Sequence, residues 1–162
     1  MAFKSDLGFV GELHSYEGLV IIPFLEEELV LIVPPNHSFA HGKGVSLRDL
    51  AGQPFIAREV GSATRELVEE KVEKKGVSLK VVMDLANNEA IKKAVENGLG
   101  LSIISKYVVQ KEVGQGLVKI VPFMREKMMR RFFIIYHEDK YLSSTIRAFL
   151  NVASKLSFHF WR

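Results

Sequence analysis

The sequence predicts an α/β fold with a mostly parallel sheet. Short runs of Val, Ile and Leu alternate with amphipathic segments of about ten residues or more, a pattern typical of βαβ units. The clearest unit covers residues 87–105, NNEAIKKAVENGLGLSIIS, in which two Asn start a helix, Asn97-Gly98 end it and a buried strand follows. Ligands of such sheets bind at the carboxyl ends of the strands, so the pattern favours a small-molecule pocket there.

Composition limits the alternatives. The chain has 162 residues, 48% of them hydrophobic and 25% charged, which is enough for one domain or two small lobes with a real core. A net charge of +3 is too small to indicate a nucleic-acid surface. The lack of cysteine excludes disulfides. Neither a signal peptide nor an apolar run long enough for a bilayer is found, so we expect a cytoplasmic protein without membrane contact.

Three strands are predicted before the first long helix. They cover Asp6 to Val10, Leu19 to Leu25 and Glu28 to Val33, and Pro34-Pro35 end the third. Ser46 then caps a short helix that ends at Leu50.

Strands and helices alternate after this point. Further strands are predicted at residues 54–57, 79–85, 99–104, 117–123 and 131–136. Helices are predicted at residues 62–75, from residue 87 to Asn97, at residues 106–113, and from about residue 143 with Ile146, Phe149, Leu150 and Ala153 on the buried face. Since strands cluster at both ends, we predict that the ends form one lobe and the middle a second.

The turn after residues 54–57 is a candidate anion site. Gly61 permits a tight turn or a close ligand, and Ser62 and Thr64 supply hydroxyl groups beside the free N–H groups of a helix start. Arg58 and Arg65 add positive charge. An ordinary helix cap with surface arginines is the alternative reading of this turn.

A second polar turn follows residues 79–85. Asn87 and Asn88 offer side-chain amides and another helix start, although Asn is also a common helix cap. Both turns follow strands of one parallel sheet, so we expect them at the same edge of it. Ser102, within the next strand, either points at a ligand or fills a small site in the core.

Catalytic and metal-binding patterns are not found. The five histidines lack metal-ligand spacing, and no nucleophile elbow, P-loop or dinucleotide fingerprint occurs. Asp84 and Glu89 are acidic residues near the predicted site, but nothing pairs them as acid and base. We therefore expect neither an enzyme nor a resident cofactor.

Taken together, the segments resemble the effector-binding (substrate-binding) domain of LysR-type transcriptional regulators. The resemblance extends from Asp6 to Ala153 and rests on these pieces in order: DLGFV, ELVLIVPPNHSFA, VSLRDLAGQPFIAREVGSATR, NNEAIKKAVENGLGLSIIS, GLVKIVPF and RRFFIIYHEDKYLSSTIRAFLNVA. It implies a type II periplasmic-binding-protein fold, in which two α/β lobes are joined by two crossover strands.

The resemblance also implies how the lobes are divided and what they bind. Residues 1–30 and 116–162 would form an incomplete first lobe, and residues 31–115 the second. A small effector, expected to be an anion or carboxylate, would bind between the lobes through the turns at Gly61 to Arg65 and at residues 86–88. The full-length protein would be a dimer or tetramer that contacts DNA only through an N-terminal winged helix-turn-helix domain preceding this region.

Two further expectations follow from the resemblance. The chain alone should not bind operator DNA, and its incomplete first lobe should expose apolar strand surface that favours association. A solute-binding protein of a transporter, which has the same fold, is the main alternative. An enzyme on the same scaffold is the second.

Overall fold

The structure is a computed structural model that describes residues 5–11 and 17–160, with side chains described as far as residue 155. Its strands are β1 Gly8–Gly11, β2 Leu19–Val33, β3 Pro54–Arg58, β4 Lys80–Leu85, β5 Ser102–Ser105, β6 Lys119–Val121 and β7 Met128–His137. Its α-helices are α1 Ala63–Glu73, α2 Asn88–Glu96, α3 Gln110–Gly114 and α4 Ser144–Phe160. Short 3-10 helices cover Ser38–His41, Leu47–Leu50 and Lys106–Val109. Of the five histidines, His14 and the side chain of His159 lie outside the described part.

The chain forms two compact units. The larger covers residues 28–129, and the smaller is formed by residues 1–27 and 130–162. The chain passes from one to the other within β2 and again within β7, so two neighbouring strands connect the units. This is the connection that a type II periplasmic-binding-protein fold requires. The lobe boundaries predicted from the sequence, after residues 30 and 115, stay a prediction.

The carboxyl-terminal half of β2 organises the larger unit. Alternate side chains of a strand point to opposite faces, and here both faces are buried. Leu29, Leu31 and Val33 join one apolar cluster with the buried side chains of α1. Val30 and Ile32 join a second cluster with the buried side chains of α2. The two helices therefore cover opposite faces of the core.

A parallel pair of strands sets the position of both polar turns. β3 and β4 pair in parallel, with Ala57 opposite Asp84 and Arg58 opposite Leu85. Because the two strands end at the same level, the turns that follow them emerge side by side. The parallel pairing of these two strands and their common edge are confirmed, but the prediction of a mostly parallel sheet is wrong for the larger sheet, in which β1 pairs with β7, β2 with β5 and β2 with β6 in antiparallel register.

Several predicted elements differ from the structure. β2 is one strand of 15 residues rather than two, because the glutamates at positions 26–28 continue the pairing instead of interrupting it. The predicted helix at 106–113 divides into a 3-10 helix and α3. Leu99, predicted to begin a buried strand, is exposed and lies before β5. Phe149, predicted to be buried, is 42% exposed.

The smaller unit has little buried apolar surface in its described residues. Of these, Glu27, Ile134 and Ala153 are buried, whereas Phe9 and Val152 are exposed. Glu27 is held by Arg130 of the neighbouring strand, whose Nε donates at 2.7 Å. Apolar exposure of the kind expected from the sequence is therefore present in this unit.

A buried ion pair joins α2 to the segment after β5. Lys92 Nζ lies 2.7 Å from Glu89 Oε1 and 3.0 Å from Glu112 Oε1, and it donates to the carbonyl of Val108 at 3.0 Å. Burial opposes the charge on Lys92, but its two carboxylate partners raise its pKa above the usual 10.5. Burial also opposes ionisation of Glu112, yet the hydrogen bond from Lys92 outweighs it and the pKa is lowered below the usual 4.5.

Gly100 lies where the chain packs closely on β3. A Cβ added there would come 2.8 Å from Pro54 O and 3.1 Å from a side-chain carbon of Ile56. We expect Gly100→Ala to lower the free energy of unfolding by about 2 kcal/mol, since backbone must move to admit the methyl group. Urea unfolding followed by circular dichroism measures this. Gly114→Ala is the control, because nothing lies within 4 Å of its Cβ, and equal losses in both variants would contradict the packing argument.

Removal of Lys92 should leave the Glu112 carboxylate buried without its main partner. We expect Lys92→Met to lower the free energy of unfolding by about 3 kcal/mol. Lys93→Met is the matched control, since Lys93 pairs with Glu96 on an exposed face and such pairs contribute about 0.5 kcal/mol. Similar unfolding midpoints for the two variants would show that the pair does not support the fold.

The same pair predicts a pH dependence. Because the pKa of Glu112 is lowered on folding, its ionised form stabilises the protein above the unfolded pKa, and this stability is lost as the pH falls through the lower folded value. The difference in unfolding free energy between the wild type and Glu112→Gln should therefore be constant near neutral pH and shrink below about pH 4.5. A difference that persists unchanged down to about pH 3 would contradict the assignment.

Candidate functional site

The guanidinium of Arg65 joins the ends of β3 and β4. Its Nη1 donates to the carbonyl of Arg58 at 3.0 Å and to the carboxylate of Asp84. Its Nε donates to Glu69 Oε1 at 2.7 Å, one helical turn along α1. The hydrogen bond that Arg65 donates to Glu69 is the main cause that raises the pKa of Arg65 above its ordinary value. Arg65 therefore holds helix α1 against both strand ends.

Arg58, the last residue of β3, faces the second polar turn. It donates two hydrogen bonds to the carboxylate of Glu59, at 2.7 and 2.8 Å. A longer contact of 3.4 Å joins its Nη2 to the carbonyl of Ala86. The hydrogen bond from Arg58 is the main cause that lowers the pKa of Glu59. Arg58 thus spans the two turns while its guanidinium is engaged by a carboxylate.

The start of α1 combines a positive-φ glycine with the first N–H groups of a helix. Gly61 has φ +85°, and nothing lies within 4 Å of an added Cβ, so its backbone conformation rather than close packing requires glycine. The side chain of Ser62 makes no capping hydrogen bond, and the first bond of the helix runs from the Glu66 N–H to Ser62 O at 3.0 Å. The N–H groups before residue 66 have no acceptor within the helix and can bind an anion.

Thr64 belongs to the core face of α1 rather than to its open start. The residue is 4% exposed, and together with Arg65 and Val68 it lines a cavity of about 10 Å³, which holds one water at most. The hydroxyl of Thr64 is therefore poorly placed to contact a ligand directly.

The start of α2 lies beside that of α1. Asn87 is the helix cap, and its Oδ1 accepts a hydrogen bond from the Ala90 N–H at 2.8 Å. This leaves the side-chain NH2 of the exposed Asn87 and the first N–H groups of α2 as donors. Asn88, the first residue of the helix, is partly buried. Asn87 is thus the helix cap, one of the two roles considered for it from the sequence, and its side-chain NH2 can still donate to a ligand.

Ser102 is used inside the fold. It is 1% exposed, and its hydroxyl donates to the carbonyl of Ile56 at 2.7 Å, across 46 residues of sequence. Of the two roles considered for Ser102, the structure therefore supports the one in the core, and Ser102 is not among the ligands proposed below.

The sequence did not reveal that the two arginines of the site are paired with three carboxylates. Glu59 binds Arg58, while Glu69 and Asp84 bind Arg65. The spacing of Arg65 and Glu69, four residues apart on a predicted helix, could have revealed one of these pairs. The pair with Asp84 depends on the register of β3 and β4 and has no local pattern. Side chains alone therefore give this site two positive and three negative charges.

Comparison with known proteins identifies the family. Residues 2–156 match the model of the LysR substrate binding domain. The chain belongs to this family. A stretch of 150 residues of this LysR domain is 39% identical to the HTH-type transcriptional regulator YeiE of Escherichia coli strain K12, covering 92% of the chain and 50% of YeiE. The HTH-type transcriptional activator CmpR of a Synechocystis strain is 37% identical, with coverage of 90% and 48%. The chain thus spans about half the length of the curated relatives it matches.

Solved structures agree with the fold. The regulatory domain of CcmR from Synechocystis, in complex with 2-PG, superposes with a TM-score of 0.86 at 29% identity, covering 95% of this LysR domain and 74% of that chain. The effector-binding domain of QuiR, in complex with shikimate, has a TM-score of 0.84 at 22% identity, with coverage of 96% and 73%, and shows the fold alone. The type II periplasmic-binding-protein-like fold is therefore confirmed. The transporter alternative is not favoured, since the matched relatives are named transcriptional regulators.

Across the part of the chain that the structure describes, no helix has both the length and the apolar character needed to cross a membrane.

The network around Arg65 predicts a specific cost of its removal. Arg65→Gln should lower the free energy of unfolding by about 2 kcal/mol, because it removes hydrogen bonds that join α1 to the ends of β3 and β4. Lys74→Gln on the same helix is the control, since it removes only an exposed pair with Glu70 and should cost about 0.5 kcal/mol or less. Thermal unfolding of both variants measures the difference. A loss for Arg65→Gln no larger than for the control would contradict the structural role.

Proposed function

We propose that the chain is the effector-sensing domain of a LysR-type transcriptional regulator and that it binds a small anion at the starts of α1 and α2. The observation that carries this proposal is the alignment of β3 with β4, which brings two helix N-termini to one edge. Helix N-termini present backbone N–H groups and the positive end of the helix dipole, both of which favour an anion.

The proposed ligand set is narrower than the sequence predicted. Gly61 and Ser62 form the turn, and the first N–H groups of α1 and α2 supply the donors, together with the side-chain amides of Asn87 and Asn88. Arg58 supplies the charge that reaches the ligand. Arg65 and Thr64 act as positioning residues: Arg65 holds α1 against the strand ends, and Thr64 packs in the core. The CcmR regulatory domain, which shares this fold, is in complex with 2-PG, and this supports a small-molecule effector here.

In the full-length protein, we propose that effector binding controls how an N-terminal winged helix-turn-helix domain holds DNA. The relatives that match this chain are named HTH-type regulators and activators. A homodimer or tetramer, as expected from the sequence, would couple the effector-sensing domain to the DNA-binding domain by shifting between two arrangements of its subunits. The domain would act by binding, without catalysis and without a resident cofactor.

A proline substitution tests the backbone donors directly. Ala63 is the first residue of α1, and Ser62 before it has extended backbone angles (φ −74°, ψ 126°), so proline fits there without disrupting the helix. Ala63→Pro removes one N–H donor, and we expect the affinity for 2-PG or inorganic phosphate to fall about tenfold. Isothermal titration calorimetry measures the affinity, and the melting temperature should stay unchanged.

Ser144→Pro is the matched control, because Ser144 is the first residue of α4 in the other unit. It should leave the anion affinity at the wild-type value. If Ala63→Pro binds both anions as tightly as Ser144→Pro does, the α1 start is not the binding site.

A further inference from the structure

We propose that the carboxylate of Glu59 occupies the Arg58 guanidinium in place of the effector, so that a bound anion must displace it. This inference rests on the proposed function, because it concerns the same two turns. It assigns Glu59 a role in specificity, which is to exclude weakly binding monoanions and to admit oxyanions with two negative charges.

The geometry of the pair is that of a bound ligand. Arg58 Nε lies 2.7 Å from Glu59 Oε2, and Nη2 lies 2.8 Å from Oε1. Two parallel N–H···O bonds of this kind are the usual way in which arginine binds a carboxylate or phosphate. The face of Arg58 that an effector would use is therefore already filled by a residue of the chain itself.

The other arginine of the site cannot take over this task. Arg65 has acceptors in Glu69, Asp84 and the carbonyl of Arg58, and its side chain is mostly buried. Moving it toward a ligand would break the connection between α1 and the two strand ends. Of the two arginines, Arg58 is therefore the one whose positive charge can reach an effector at these turns.

Glu59 is the carboxylate that is easiest to displace. It lies in the turn after β3, it is partly exposed, and among the described residues Arg58 is its only side-chain partner. Glu69 and Asp84 anchor Arg65, so their movement would disturb the fold. Arg58 is 20% exposed and Glu59 41%, so the carboxylate lies on the solvent side of the pair, where water readily solvates it when it leaves. Displacement of Glu59 from Arg58 by a ligand therefore requires little free energy.

The cost of displacing Glu59 is the same for every anion, so it excludes those anions that gain little in return. A monocarboxylate that displaces Glu59 replaces one carboxylate by another and gains little at Arg58. An oxyanion with two negative charges and more acceptor oxygens gains at Arg58 and at the helix N–H groups together. Glu59 therefore sets a threshold that such anions pass and acetate does not.

The test compares sulfate with acetate on the wild type, Glu59→Gln, Arg58→Gln and the double variant. We expect Glu59→Gln to bind both anions about threefold to tenfold more tightly, because sulfate and acetate displace the same carboxylate, so that the ratio of the two affinities stays the same while acetate binds at lower concentrations than in the wild type. Arg58→Gln should weaken sulfate binding, and in its background Glu59→Gln should have no effect. Isothermal titration calorimetry at constant ionic strength measures these affinities.

Glu73→Gln is the control for the general effect of removing a negative charge, because Glu73 is exposed at the far end of α1. If Glu59→Gln gains no more than Glu73→Gln, or keeps its gain without Arg58, the displacement is refuted while anion binding at the turns stands. If sulfate, phosphate and 2-PG fail to bind any variant, or bind without loss in Ala63→Pro, the proposed function fails with it.

Discussion

The guanidinium of Arg65 is the contact on which the geometry of the candidate site depends. When two parallel strands end side by side, the turns that follow them can still run in different directions. Arg65 fixes the direction, because it binds the last carbonyl of β3, the Asp84 side chain near the end of β4 and one turn of α1 at the same time. Its three acceptors lie on three different elements, so the start of α1 keeps a set position relative to β4. Arg65 therefore serves as a positioning residue, although its charge first marks it as a ligand.

The side-chain charges of the site nearly balance. Arg58 and Arg65 are matched by three carboxylates, so the side chains alone would not attract an anion strongly. Attraction for an anion then comes from the backbone, through the first N–H groups of α1 and α2, which have no acceptor within their own helices. This division separates two tasks: the backbone supplies affinity, while the pair of Arg58 and Glu59 decides which anions can enter. Burial of α1 and α2 on opposite faces of β2 keeps both helix starts rigid enough for such discrimination.

The sequence predicts much of this arrangement and fails in places that have physical explanations. Periodicity and turn residues locate α1, α2, β3 and β4 correctly, because each has apolar spacing and a glycine or asparagine at its end. β2 is predicted as two strands because local patterns cannot show that charged residues near its centre find a partner such as Arg130 on a neighbouring strand. At the site, the sequence predicts the two turns and their common edge, and effector binding by their residues stays a prediction, but the sequence cannot decide between a ligand role and a core role for Thr64 and Ser102. Their hydroxyls resemble ligands in sequence, and only tertiary packing shows that both are buried.

Chemical-shift mapping of backbone amides during titration with 2-PG or phosphate shows whether the two helix starts bind one anion together. In that case the amides of Ala63 and Arg65 in α1 and of Asn88 and Glu89 in α2 shift together and saturate with one dissociation constant. Shifts confined to a different surface would contradict this joint binding. The groove lined by Arg48, Phe123 and Arg125 is the clearest such surface, since it is basic and has a volume of about 480 Å³. An anion that saturates there and leaves Ala63 and Asn88 unmoved would place the binding site away from the paired helix starts.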